Sequence, residues 1–147
     1  MGHMIRGIIG KDSVMQNVSK NWRKAEKIIL PQDYSLICLN DDLFDVITEL
    51  IDEGNTCEYP VLNYLTTSII RFLETESADS QLVYIETNYF GGSGTQAGVL
   101  FENGSIKTQP VCNDGAINQL LHNIGVYKEK GKDEFDSLQL YRFRHME

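Results

Sequence analysis

The chain reads as a single α+β domain, an antiparallel β-meander with helices packed on one face. Three observations predict this. The stretch opening at Leu82-Val83-Tyr84-Ile85 is rich in β-branched and aromatic residues, as strands are. Asn103-Gly104 follows, and both central positions of a two-residue hairpin turn favour the positive φ these residues tolerate. Before and after the strands, apolar residues recur three and four apart, the period of amphipathic helices. At 147 residues one core of ordinary size suffices. Met1-Gly2-His3 reads as a cloning remnant before a native Met4, so the domain is taken as residues 4–147.

In chain order, residues 5–10 predict a short strand. Over residues 13–29, Val14, Val18, Trp22, Ala25 and Ile29 predict a helix, with cations between them and Pro31 as its stop. Residues 34–39 predict a short buried strand. Asn40-Asp41-Asp42 offers capping oxygens and favourable charge to a helix striped by Phe44, Ile47, Leu50 and Ile51 and ended by Gly54. Pro60 suits the first turn of the next helix, which Val61, Leu62, Leu65, Ile69, Phe72 and Leu73 carry to Glu76. Strands are then expected at 82–90, 95–101 and 105–111. Asp114 is the expected cap of a last helix built on Ile117, Leu120, Leu121 and Ile124, with Gly125 after it. Helices before and after a run of antiparallel strands give the α+β class.

Composition removes several classes of function. Hydrophobic residues at 41% and charged residues at 23% do not describe a disordered chain. No apolar run nears the roughly 18–20 residues of a membrane span, and no signal-peptide pattern opens the chain. The net charge of −8 disfavours nucleic acid, whose phosphates require clustered Lys and Arg. That charge is uneven. Residues 1–30 carry net +4, residues 31–80 carry −10 with Arg71 their only cation, and residues 81–147 carry −2. A charge block of this kind commonly forms a solvated face, and it can also steer a basic partner. Cys38, Cys57 and Cys112 are odd in number, widely spaced and without a CxxC pair, the usage of a cytoplasmic protein. His122 and His145 have no ligand spacing to a cysteine or an acid pair, so neither metal nor cofactor is expected.

Gly91-Gly92-Ser93-Gly94 lacks the Lys and the following helix of a phosphate loop, so it reads as a hairpin turn. On the strands around it, Glu86 and Gln96 are expected to meet across the ladder as a polar row. That row is the candidate site of an alternative reading, a small enzyme or ligand-binding protein. No His, Cys or second carboxylate stands near in sequence to complete a catalytic set. His122 lies off its helix's apolar stripe, the place of a surface residue. Asp133, Glu134 and Asp136 form a small acidic turn anchored by Phe135, suited to capping or to pairing with Arg142 and Arg144.

Two separated motifs carry a resemblance. Tyr84-Ile85-Glu86-Thr87-Asn88-Tyr89-Phe90-Gly91-Gly92-Ser93-Gly94-Thr95-Gln96-Ala97 precedes Asp133-Glu134-Phe135-Asp136-Ser137-Leu138-Gln139-Leu140. In this order they resemble a group of small bacterial immunity proteins of contact-dependent growth inhibition and other polymorphic toxin systems. The likeness covers residues 60–144, with Gln139 where the group usually has glycine. It implies a non-catalytic cytoplasmic protein, monomeric before complex formation, that covers the active site of a cognate toxin domain. No functional residue is carried over from the group. A ribonuclease toxin must present cations to phosphate, and a polyanionic face can occupy them. Asp41, Asp42, Asp45, Glu49, Asp52 and Glu53, dense on one short helix, are therefore the candidate partner-binding residues.

Overall fold

Along β1 (His3–Lys11), Ile8 packs into one buried layer while Ile5 and Ile9 pack into another, so this strand has a core on each side. The computed structural model describes residues 3–90 and 93–146. Its sheet runs in the order β2 (Lys27–Ile29), β3 (Tyr34–Cys38), β1, β4 (Gln81–Phe90), β5 (Ser93–Glu102), β6 (Ser105–Ile106). β7 (Val111–Cys112) also pairs with β5, and β8 (His145–Met146) pairs with β1. Among the described residues the β1–β8 pairing is parallel and the others are antiparallel. The α+β class and the antiparallel sheet follow as expected.

The expectation of helices on one face is corrected. α1 (Asp12–Asn21), α2 (Asp41–Ile51) and α3 (Thr67–Glu76) pack Met15, Val18, Leu43, Ile47, Ile69 and Phe72 onto the face bearing Ile8, Ile37, Tyr84 and Val99. α4 (Ala116–Asn123) covers the opposite face with Ile117, Leu120 and Leu121 against Val83, Ile85 and Leu100. The short α5 (Glu134–Ser137) and the residues after it add Phe135, Leu138 and Leu140 to that second core. The central strands explain why. Leu82-Val83-Tyr84-Ile85 is apolar at every position, so both of its faces require cover.

Several boundaries also differ. The helix expected over 13–29 ends at Asn21, where Trp22 turns the chain. Lys27–Ile29 then becomes the edge strand, its β-branched pair laddered to β3. The helix expected from Pro60 starts at Thr67, with the Thr66 hydroxyl accepting from the Ile69 amide at 3.3 Å. Leu62 and Leu65 are buried as expected, but from a loop. α2 ends one turn short of Gly54 because Asp52 takes the left-handed conformation, φ 53°. Strand 105–111 divides into β6 and β7, with the Lys107 amide bonded to the Leu100 carbonyl between them and Pro110 lacking a donor. Asn103-Gly104 forms the expected two-residue turn, with φ of 51° and 85°. Gly91 and Gly92 of the glycine-rich turn lie outside the described residues, and their neighbours Phe90 and Ser93 are ladder partners.

Cys38 is partly buried, and Cys57 and Cys112 are exposed. Among the described residues, no helix is long and apolar enough to cross a membrane.

Candidate functional site

Of the six acidic candidates expected on one helix, Asp41, Asp42, Asp45 and Glu49 stand on α2, and Asp52 and Glu53 follow its end. The Asn40 side chain caps this helix by accepting from the Leu43 amide at 2.9 Å. Leu43 and Ile47 are buried, with Phe44 and Ile51 packed beside them. At 100° per residue, the carboxylates of Asp41, Asp42, Asp45 and Glu49 fall within an arc of about 100° on the opposite side, whereas Asp52 ends the helix in the left-handed conformation and Glu53 lies beyond it. All six residues are exposed. Asp41 meets Arg6 Nη2 at 3.1 Å, and Glu53 lies 3.8 Å from Arg71 Nε. Asp42, Asp45, Glu49 and Asp52 have no salt bridge among the described residues. Like charges four apart, Asp41 with Asp45 and Asp45 with Glu49, each oppose the helix by a few tenths of a kcal/mol. The cap and the buried stripe hold it regardless.

Beside this face lies a second cluster that sequence reasoning missed. Arg6, on central strand β1, is only 5% exposed. Its Nε donates to the Leu39 carbonyl at 2.6 Å and its guanidinium stacks 3.9 Å from the Tyr64 ring centroid. Tyr64 in turn meets Phe44 of α2 edge to face at 6.1 Å. A lone cation inside Ile5-Arg6-Gly7-Ile8 was the available signal, since charge within an apolar strand needs partners.

Glu86 is Arg6's direct partner across the β1–β4 ladder. Its Oε1 accepts from the Asn63 amide at 2.8 Å, and its Oε2 from the Tyr64 amide at 2.9 Å and the Tyr84 hydroxyl at 2.7 Å. Burial foremost, and then the Glu86 charge, push the Tyr84 phenol well above its ordinary value of 10.0. The bonds to Asn63 and Tyr64 explain why this segment is not helical. Its amides are engaged by a carboxylate from the sheet. A cavity of about 270 Å³ remains here, lined by Met4, Arg6, Val61, Tyr64, Glu86 and Asn88 among others.

Gln96 does not join Glu86, and that expectation is corrected. The register sets Glu86 against Ala97 and Thr87 against Gln96, so Glu86 and Gln96 occupy opposite faces of the sheet. The Gln96 Oε1 accepts from the Ile117 amide at 2.9 Å, and its Nε2 donates to the Tyr89 hydroxyl at 2.9 Å. Gln96 thereby caps the first turn of α4, the task expected of Asp114. α4 has no cap from its own N-cap residue, Gly115. No shared ligand surface forms between Glu86 and Gln96.

His122 is exposed, with Nδ1 at 3.6 Å from the buried Glu134 carboxylate. Asp133 caps α5 by accepting from the Asp136 amide at 2.8 Å. Among the described residues, no group of three or more His, Cys, Asp or Glu is placed to hold a metal ion.

Comparison of the chain with protein-family models, with curated proteins and with solved structures finds no match in any of the three.

Proposed function

We propose that this protein is an immunity protein that binds a cognate bacterial toxin domain, a basic ribonuclease, and covers its active site. The observation that carries this reading is the α2 face. Six exposed carboxylates lie on this helix and just past its end, and four of them have no cationic partner among the described residues. Such a face attracts a cationic nuclease over a Debye length of about 8 Å at physiological ionic strength and occupies the groups that would hold phosphate. The two-motif resemblance to immunity proteins of polymorphic toxin systems supports the same reading. In it the protein acts in the cytoplasm, without cofactor or catalysis, and is monomeric until it meets its toxin.

The test is titration against the toxin domain encoded beside it, followed by co-expression. The reading expects a 1:1 complex and restored growth. A toxin that neither binds nor is neutralised would refute it.

A further inference from the structure

The Arg6 cavity adjoins the acidic face. Arg6 both lines the cavity and holds Asp41, the first residue of α2. Beside the opening, Val61 is 44% exposed and Tyr64 43%. A partner can bury both without unfolding the domain. The Arg6 guanidinium donates to the Leu39 carbonyl through Nε and to Asp41 through Nη2. Its Nη1 has no protein acceptor among the described residues. Thr48 Oγ1, not Nη1, is the buried side-chain atom left without a partner among the described residues, so Nη1 opens to the cavity, where an entering oxygen acceptor can bond to it.

We propose that this cavity is the anchor of the toxin interface, the place where a carbonyl oxygen of the partner, from an amide side chain or a main-chain peptide, bonds to Arg6. The proposal rests on the immunity reading and specifies the part of the surface that sets residence time. Charge selects the chemistry. A cation would meet Arg6 on the cavity wall. A carboxylate would be a third negative group beside Asp41 and Glu86, which already exceed the single positive charge of Arg6. A neutral oxygen acceptor meets neither objection. The partner's remaining groups would lie on the Tyr64 ring and Val61, with its cations over Asp41 and Asp45. Aromatic anchors at a desolvated pocket commonly dominate binding energy, whereas exposed charges chiefly set the association rate. The acidic helix would then govern arrival and the cavity departure.

Stopped-flow and surface kinetics with the toxin domain encoded beside this protein test it. Arg6 itself is buried in the central strand, so the informative variants are Val61→Trp, which fills the cavity mouth, and Tyr64→Ala, which removes its wall. Each should raise the dissociation rate at least tenfold while changing association less than twofold. Leu50→Ala, on the side of α2 away from the acidic arc, should change neither. Circular dichroism and urea unfolding of each variant separate binding loss from unfolding. If the toxin binds the wild type but dissociates from folded Val61→Trp and Tyr64→Ala at the wild-type rate, the anchor lies elsewhere and the immunity reading stands. If the wild type does not bind, both fall.

Discussion

Arg6 and Glu86 face each other across the β1–β4 ladder, and each ties a different loop to the same face of the sheet. Arg6 holds the Leu39 carbonyl and Asp41, fixing where α2 begins. Glu86 holds the amides of Asn63 and Tyr64, fixing the segment before α3. Tyr64 closes the link by lying over Arg6. The acidic helix and the cavity therefore have a common foundation in two charged residues of the central strands.

The first prediction concerns that foundation. Glu86→Gln replaces one carboxylate oxygen with a donor, which then faces amide hydrogens in place of an acceptor. Bonds to a charged acceptor contribute about 1.5–3 kcal/mol each when buried, and partial exposure lowers this. Urea unfolding should show a loss of about 1–2 kcal/mol. Tyr84→Phe removes one of the same bonds and should cost less. The double variant should fall short of the sum, since both substitutions remove the same Tyr84–Glu86 interaction.

Gly98 sets how closely α4 approaches the sheet. A Cβ there would come within 2.6 Å of Leu120 Cδ1 and 2.8 Å of the Tyr84 carbonyl oxygen. The carbonyl cannot move without breaking the β4–β5 ladder. Gly98→Ala should destabilise the fold by about 1–3 kcal/mol, the usual range for overpacking. A midpoint equal to wild type in thermal unfolding would contradict this packing.

Gln139 occupies a left-handed conformation, φ 59° and ψ 33°, which costs a side-chain-bearing residue about 1–2 kcal/mol relative to glycine. Glycine loses more entropy on folding, about 0.5–1 kcal/mol, so the two effects partly cancel. Gln139→Gly should still be stabilising, by up to about 1 kcal/mol, measured as a higher urea midpoint with unchanged slope.

Acid should weaken the fold through two surface carboxylates. The Ser35 hydroxyl first, and then Lys27, hold Asp12 below its ordinary 3.8; the Gln81 amide first, and then Lys107, hold Glu102 below its ordinary 4.5. Both groups are less easily protonated folded than unfolded. Their contribution is complete above these ordinary values and is lost as pH falls through them toward the depressed folded values. Asp12→Asn and Glu102→Gln should each lower stability at pH 7 while narrowing the difference between pH 7 and pH 3. Unfolding curves at the two pH values read this directly, and a difference as wide as in wild type would refute it.

Legibility in the sequence followed the range of the interactions involved. Asn103-Gly104 and the Asn40 cap are local devices and formed where their residues stand. The β-branched and aromatic run at 82–85 located a strand, and its lack of a polar face was the sign that helices would cover both sides. Where a distant partner decides, local signals failed. Residues 60–66 have helical spacing, but Glu86 engages two of their amides. Glu86 and Gln96 were separated by a ladder offset of one residue, which is enough to send side chains to opposite faces. Arg6 declared its importance only by being a cation among apolar neighbours, and its partners at 39, 41 and 64 could not be read from spacing.

The charge on α2 yields the last prediction. Asp42, Asp45 and Glu49 are exposed, free of salt bridges among the described residues, and outside the Arg6 cluster, so reversing them to Lys leaves the known contacts intact. Reversal turns the Asp41–Asp45 repulsion into attraction, keeps positions 45 and 49 like-charged, and puts a cation in the first turn against the helix dipole, so these effects largely cancel and stability should change by less than about 1 kcal/mol. If the protein binds a toxin as proposed, association should slow by tenfold or more at low salt, since steering depends on the field these groups project. Its dependence on salt should flatten in the same measurement, because less field remains to be screened. The wild type and the triple variant should therefore converge as salt approaches 1 M, where the screening length falls to about 3 Å. Stopped-flow association rates across a salt series give both quantities at once. Parallel salt dependences for the two proteins would place the electrostatic contact on another face of the domain.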